Sequence, residues 1–151
     1  MLPRELEVLK VFSHCADMTL EAASAGSAGL DLRSACSISI EPGQYRRVPT
    51  PFVIELPPSY VGLVCPRSGL ADRHGITVLN SPGIIDSDYR GVISVLLVNL
   101  GTQVFHIESG DRIAQLVVVK QGGLHILQVP RIEDLSSTGR GVGGFGSTGV
   151  S

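Results

Sequence analysis

The feature that most constrains the fold is the dense succession of short apolar runs separated by turn residues. These runs include ELEVLKV, SISIEPG, YRRVPTPFVIELPPSY, VGLVC, GVISVLLVN, TQVFHIESGD, RIAQLVVVK and GLHILQV. Eight or more short strands without helical periodicity predict an all-β fold, either a sandwich, a jelly roll or a barrel. One short helix is predicted around SGLADRHG, ending at Gly75.

The composition indicates one folded domain with a substantial core. The chain has 151 residues, of which 43% are hydrophobic and 17% charged. This balance argues against global disorder. The formal net charge of −2 argues against general nucleic-acid binding, which needs a basic face. It still allows a few local arginines to hold one small anionic ligand.

The cysteines and the apolar runs indicate the compartment. Cys15, Cys36 and Cys65 are odd in number and contain no C-x-x-C pair, so neither a zinc site nor a disulfide framework is predicted. We expect buried, inert thiols in a reducing compartment. The first ten residues carry charges where a signal peptide needs an apolar run, and no run is long enough to span a bilayer. The sequence therefore predicts a soluble, cytoplasmic protein.

The glycine-rich stretch TGRGVGGFGSTG resembles a phosphate-binding loop. Gly141, Gly143 and Gly146 satisfy G-x-G-x-x-G, but such loops lead into a helix, and only two residues follow this stretch. The composition alone is typical of a disordered tail. However, Arg140 and Phe145 supply a cation and an isolated aromatic ring. These two residues favour an arm that closes over a ligand.

Two stretches early in the chain break their local pattern. In SAGSAGLDLRS, Asp31 follows a glycine at the start of a strand, where small residues let the backbone approach a ligand. Taken alone, this stretch is better explained by an ordinary turn into a strand, since Gly-x-Asp is a common turn signature. In CPRSGLA, Arg67 and Ser68 would lie beside free N–H groups at a helix start, which favours an anion. The alternative is a surface arginine with Ser68 as a plain N-cap.

Two later stretches are also candidates. In LNSPGIIDSDYRG, residues 80–83 predict the tight turn of a hairpin, and Asp86, Asp88 and Tyr89 follow at its stem. A carboxylate held there can deprotonate a water. The alternative, a decorated hairpin with solvated acids, explains Asp88 well and Tyr89 less well. Gln115 interrupts the apolar run RIAQLVVV. A buried amide needs partners, either in a neighbouring loop or on a ligand phosphate.

Together, these stretches resemble a known family. AGLDL, PRSGL, GIIDSDYRG, GDRIAQL and RGVGGFGSTG are similar, in this order, to the five motifs of the trimeric dUTPases, over residues 24–149. The resemblance implies a homotrimer of jelly-roll-like (β-clip) subunits with active sites at subunit interfaces. It also implies a β-rich domain over residues 1–137, and a mobile C-terminal arm over residues 138–151.

The same resemblance implies the chemistry. The reaction would be hydrolysis of dUTP to dUMP and pyrophosphate, which limits uracil in DNA and supplies dUMP for thymidylate synthesis. Asp86 would activate the water for in-line attack on the α-phosphorus. The phosphates would carry Mg²⁺, and Asp31 would act on the metal through water. The implied substrate-binding residues are Arg67, Ser68, Gly69, Asn80, Gly83, Ile85, Tyr89, Gln115, Arg140, Phe145, Gly146, Ser147 and Thr148.

Two other functions are compatible with this fold. A dCTP deaminase, or a bifunctional deaminase–dUTPase, would need a carboxylate beside the pyrimidine, and the segment around residues 80–85 has no spare Glu. A catalytically silent trimer that serves in binding or regulation would have no physical reason to keep Asp31, Asp86, Arg140 and Phe145. Both observations favour the dUTPase.

Overall fold

The computed structural model describes residues 7–143 and is built almost entirely of strands. The one α-helix in this range, α1, spans Ser68–His74 and ends at Gly75 in the left-handed conformation, as predicted. A 3₁₀ turn spans Ile132–Asp134. The strands are β1 Lys10–Ser13, β2 Gly29–Arg33, β3 Ile38–Ile40, β4 Tyr45–Pro49, β5 Phe52–Glu55, β6 Tyr60–Cys65, β7 Ile76–Val78, β8 Gly83–Ile85, β9 Ser94–Asn99, β10 Phe105–Ile107 and β11 Arg112–Lys120.

The strands form small antiparallel sheets around one core, which confirms the all-β prediction. Their orders are β1-β5, β10-β3, β2-β11-β6-β8 and β4-β9-β7. Apolar side chains from nearly every strand meet in a single cluster that includes Leu32, Phe52, Leu97 and Leu116. Because each sheet has one inner face, the polar residues that alternate with these side chains lie on the outer faces.

The four-stranded sheet carries most of the candidate residues. Its second strand, β11, pairs with β2 on one side and with β6 on the other, so Gln115 lies opposite both Asp31 and Cys65. The register between β11 and β2 shifts between Arg112 and Ala114. Ile113 has no partner on β2, and both Ile113 and Ala114 are fully buried. This β-bulge leaves Arg112 on the same outer face as Gln115 and Asp31.

The predicted hairpin around residues 80–83 is wrong. β7 pairs with β9, whereas β8 pairs with β6, so the two strands flanking this turn belong to different sheets. The turn carries the chain from one sheet to the next, and its Ser81–Pro82 peptide bond is cis. The prediction failed because Asn-Ser-Pro-Gly marks a tight reversal without identifying the strand that receives each side.

Three other expectations need correction. GLHILQV is not a strand, since residues 121–130 form no regular element and the side chains of Leu124 and Ile126 are 90% and 84% exposed. The first strand begins later than ELEVLKV suggested, at Lys10. The three cysteines are free but only half-buried.

Among the described residues, no helix is long and apolar enough to cross a membrane.

Candidate active site

A polar cavity of about 200 Å³ lies where β2, β11 and the start of α1 meet. It brings together residues from three separate sequence motifs, and five of the candidate site residues are among them: Asp31, Arg67, Ser68, Gly69 and Gln115. The complete lining is Ala23, Ser27, Gly29, Asp31, Arg67, Ser68, Gly69 and Gln115. A larger cavity of about 420 Å³ between α1 and β10 shares Arg67 with it, but contains no other predicted site residue.

Gln115 is held in the cavity wall by one hydrogen bond. Its Nε2 donates to the carbonyl oxygen of Pro66 at 2.9 Å, which satisfies one of the two N–H groups of the amide. Gly29 is next to it on the outer face, and a Cβ on Gly29 would overlap the Oε1 of Gln115. The glycine is therefore required for close approach, because any side chain there would displace the amide.

Asp31 is the most enclosed charge of the site. Its side chain is 13% exposed and lies between two arginines. The Nη1 of Arg112 is 3.5 Å from Oδ2, and the Nε of Arg67 is 3.9 Å from Oδ1. Arg67 is further fixed because its Nη1 donates to the backbone carbonyl of Arg112 at 2.9 Å. The two guanidinium groups and one carboxylate leave a local excess of one positive charge, which favours an anion.

The residues of the GIIDSDYRG motif lie elsewhere on the same sheet. Gly83 is buried against Val64 and Ile85 is half-buried, whereas the side chains of Asp86 and Tyr89 are exposed. The phenol of Tyr89 donates to the carbonyl of Val92 at 3.1 Å, which holds its ring across the turn that follows β8. Asn80 is exposed in the turn before β8. None of these residues lines the polar cavity.

The distance between Asp86 and Asp31 follows from the register of the sheet. Three strand spacings separate β2 from β8, which is about 14 Å. Ile85 pairs with Gly62 on β6, so Asp86 is level with the residue just before Gly62. Gln115 and Asp31 are level with Cys65, about four positions further along the same strand. Four residues of strand add about 13 Å, so the two carboxylates are on the order of 20 Å apart within one chain.

The beginning of the predicted arm is described as far as residue 143. Arg140 is exposed, and its Nε donates to the carbonyl of Gly143 at 2.8 Å. Gly141 takes a positive φ of 52° within this turn. Arg140 does not line the polar cavity of its own chain. Phe145, Gly146, Ser147 and Thr148 lie outside the described residues.

Sequence reasoning missed Arg112, the second cation beside Asp31. Its motif, GDRIAQL, was recognised, but only Gln115 was singled out within it. An unbroken alternation through Arg112, Ile113, Ala114 and Gln115 would have placed Arg112 and Gln115 on opposite faces. Because of the bulge, Arg112 and Gln115 lie on the same face instead. The sequence feature that indicates the bulge is the adjacent apolar pair Ile-Ala.

The donor set of the site is unsuited to hold a metal ion directly. In residues 7–143, no three His, Cys, Asp or Glu side chains are grouped as metal ligands. Asp31 is the one carboxylate in the lining of the cavity, and two arginines face its oxygens. A hard cation such as Mg²⁺ therefore fits here only when a bound ligand supplies most of the oxygen atoms that coordinate the ion.

Comparison with known proteins identifies close relatives. The dUTPase family model matches residues 17–149. A deoxyuridine 5'-triphosphate nucleotidohydrolase of Methylocella silvestris is 48% identical over 147 residues, covering 94% of this chain and 90% of that protein. One of the same name from an Anaeromyxobacter species is 52% identical over 124 residues, covering 82% of each chain.

Solved structures share the fold. A mutant dUTPase of Staphylococcus bacteriophage 80alpha with dUpNHpp has a TM-score of 0.85 and 27% identity, covering 95% of this chain and 99% of that one. A mutant dUTPase from phage phi11 of S. aureus, with a coordinated structural Mg(II) ion, has a TM-score of 0.76. It is 24% identical, with coverage of 83% and 99%, and supports the fold alone.

Proposed function

The chain belongs to the dUTPase family of enzymes, and we propose that it hydrolyses dUTP to dUMP and pyrophosphate by Mg²⁺-assisted in-line attack of water on the α-phosphate. The observation that carries this proposal is the polar cavity, in which three motifs bring an arginine, a carboxylate and an amide around about 200 Å³. The reaction would keep uracil out of DNA and supply dUMP for thymidylate synthesis.

The cavity is suited to a polyphosphate. Arg67 supplies a charge that is fixed by its bond to the Arg112 carbonyl, and Ser68 and Gly69 line the wall beside it. Gln115 has one further N–H group available for a phosphate oxygen, since Pro66 uses only one. Donors that are held in place before the substrate arrives stabilise developing charge without reorganising, which is the largest common source of catalysis.

We propose that Asp31 acts on Mg²⁺ through the water shell of the ion. When bound, the metal neutralises charge on the phosphates and polarises their oxygens. A single carboxylate that already faces two arginines fits this outer contact better than direct ligation. Asp31 would accept hydrogen bonds from the bound waters and so orient the phosphates that bring the metal.

We assign Asp86 as the general base. Its exposed carboxylate follows β8 directly, at the end of a strand that fixes the backbone. A carboxylate there accepts a proton from water as the water attacks phosphorus. Asp88 lies two residues further along, at the tip of the turn, and has no assigned role.

The separation of Asp86 from Asp31 supports a site shared between subunits. Both groups must act within a few ångströms of one triphosphate, but they are on the order of 20 Å apart in one chain. A closed ring of identical subunits would bring the Asp86 of one subunit to the Asp31 of another. We therefore propose a homotrimer in which each site is formed by more than one chain.

The segment after β11 supports the same assembly. Large apolar side chains are exposed along residues 124–135, including Leu124, Ile126, Leu127, Ile132 and Leu135. Isolated apolar residues on a surface are ordinary, but so many exposed along one short segment are typical of a subunit interface. We propose that a second copy of the chain covers these apolar side chains, because the shared site also requires a second copy.

The segment around β8 is proposed to select the base. Gly83 is packed against Val64, so the backbone of residues 80–85 can approach a ring closely. Backbone N–H and C=O groups arranged for uracil would oppose the amino group of cytosine, and a mismatch between polar groups gives strong rejection. The ring of Tyr89, fixed by its bond to Val92, would pack under the deoxyribose and exclude a 2'-hydroxyl.

The glycine-rich arm is proposed to close the site. Arg140 would reach the terminal phosphate, and Phe145 would stack on uracil, with Gly146, Ser147 and Thr148 beside the phosphates. Ordering such a segment costs about 1–2 kcal/mol per residue, so closure needs both the base and the phosphates. Loss of these contacts after cleavage would reopen the arm and release the products.

The deciding experiment measures pyrophosphate release from dUTP, dCTP, dTTP and UTP in parallel, with ammonia release from dCTP as a second readout. We expect turnover of dUTP with Mg²⁺ and little of the other three. Ammonia release from dCTP would indicate a deaminase instead. No turnover of any nucleotide by the correctly assembled protein would leave a binding or regulatory trimer.

A further inference from the structure

Arg112 has no assigned part in the proposed reaction, although it lies closer to Asp31 than the phosphate-site arginine does. The bulge in β11 brings it there. Ile113 and Ala114 both face the core, so Arg112 is on the outer face, diagonally across from Asp31 on β2. Diagonal neighbours on a sheet are within reach of long side chains.

Arg112 acts on the site through two different atoms. Its guanidinium Nη1 is 3.5 Å from Asp31 Oδ2, and its backbone carbonyl accepts a hydrogen bond from Arg67 Nη1 at 2.9 Å. The Asp31 carboxylate is thus within reach of both arginines, at 3.5 Å and 3.9 Å. The two cations compete for one carboxylate.

We propose that Arg112 is a positioning residue that holds Asp31 away from Arg67 and so leaves Arg67 available to phosphate. Without the Arg112 guanidinium, Asp31 would have Arg67 as its nearest cation among the described residues. The carboxylate would turn toward Arg67 and neutralise the charge that a triphosphate needs. Because the Arg112 carbonyl belongs to the backbone, substitution of the side chain leaves the hydrogen bond to Arg67 in place.

This inference rests on the proposed function and predicts a specific coupling. Replacing Arg112 should weaken binding only while residue 31 carries a charge. In the Arg112→Met variant, we expect the Kd for dUpNHpp, a non-hydrolysable dUTP analogue, to rise about 10-fold, a typical loss when a supporting partner of a site is removed. In an Asp31→Asn background, the same substitution should change Kd by less than about 2-fold, because no carboxylate remains to capture Arg67.

The experiment is a double-mutant cycle on the full chain. The Kd for dUpNHpp is measured by calorimetry without and with Mg²⁺ for the unaltered protein, Arg112→Met, Asp31→Asn and the double variant. Arg46→Gln is the matched control. This exposed arginine on β4 bonds only to the carbonyl of Tyr45 among the described residues, and its sheet does not line the cavity, so its loss removes one charge outside the site. Thermal melting of each variant reports on the fold.

Each outcome decides the proposal. A 10-fold loss that disappears in the Asp31→Asn background, with Arg46→Gln unchanged, supports it. Equal losses in both backgrounds overturn it and indicate that Arg112 contacts the nucleotide independently. If Arg46→Gln raises the Kd for dUpNHpp as much as Arg112→Met does, the proposal is overturned in favour of a general charge effect. If Arg112→Met lowers the melting temperature and its effect on Kd simply adds to that of Asp31→Asn, the proposal is overturned in favour of a structural role. When the cycle overturns the inference but the unaltered chain binds dUpNHpp, only this inference fails. When the unaltered chain does not bind dUpNHpp, the proposed function fails as well.

Discussion

The shared site can be tested by dividing its two halves between different chains. One chain carries Asp86→Asn, which removes the proposed base. The other carries Asp31→Asn together with Arg67→Met, which removes the carboxylate and the cation of the polar cavity. Within a single chain these groups are on the order of 20 Å apart. Neither variant alone should therefore contain a complete site.

The expected recovery follows from counting. If each site takes residue 86 from one chain and residues 31 and 67 from another, random mixing at equal amounts gives about one quarter of sites with both halves intact. The parent variants provide a low background, since losing a general base costs about 10²–10⁴-fold. Losing the charge-assisted hydrogen bonds of Arg67 costs roughly 10- to 100-fold. The mixture should therefore recover about 25% of the unaltered activity.

The assay is pyrophosphate release after the two chains are unfolded together and refolded. A matched control combines all three substitutions in one chain and mixes that chain with the unaltered protein. For a shared site, random assembly predicts about one quarter of sites intact in this control as well, whereas chains that fail to mix, or sites formed within one chain, would retain about one half. Because the two chains of each mixture differ by one charge, ion-exchange chromatography of the refolded protein shows whether mixed assemblies form.

The result that would refute this reasoning is a mixture that contains mixed assemblies by ion exchange but shows no activity above either parent, with about one half of the activity retained in the control. The two halves of the site would then have to come from the same chain. A monomer by light scattering at the assay concentration would refute it as directly.

The remaining predictions concern single positions. Asp86→Asn should lower kcat by about 10²–10⁴-fold and leave dUpNHpp binding intact, whereas Asp88→Asn should have little effect; equal losses would remove the assignment. Gly29→Ala should displace the cavity glutamine from its carbonyl partner and lower kcat/KM about fivefold at unchanged melting temperature. Gly75→Ala should destabilise the fold by about 2 kcal/mol in urea unfolding, because its φ of 67° is left-handed and a Cβ would lie 2.7 Å from Gly101 N; a change below about 0.5 kcal/mol would contradict this. Deleting residues 139–151 should keep the melting temperature but lower turnover of dUTP; full activity would leave the arm without a role.

Local chemistry predicted much of the fold. The runs that became β3, β5, β6, β9 and β11 could be recognised because they are short apolar stretches bounded by turn residues. The helix could be placed because Gly75 supplies a left-handed C-cap that other residues rarely adopt. These features depend on neighbours in the sequence, so the sequence carries them directly.

Pairing partners could not be predicted in the same way. GLHILQV has the composition of a strand, but a strand also needs a partner for its backbone groups, and its own chain provides none among the described residues. The turn at residues 80–83 was recognised, but not the change of sheet across it. Arg112 was missed because a bulge changes which face a residue occupies without altering its residue type.

The bulge also bears on how the chain tolerates changes of length. β11 contains one residue more than its pairing with β2 requires, and the unpaired residue is Ile113. A deletion at that position would restore regular alternation with Arg112 and Gln115 still on the outer face. Its cost would be the burial of one isoleucine, about 2–5 kcal/mol by analogy with large-to-small core substitutions. A deletion farther along the strand, at Val117 for example, would move every residue on one side of the deletion to the opposite face of the sheet. Related chains could therefore differ by one residue at the bulge and keep the same site, whereas the paired part of β11 must keep its length.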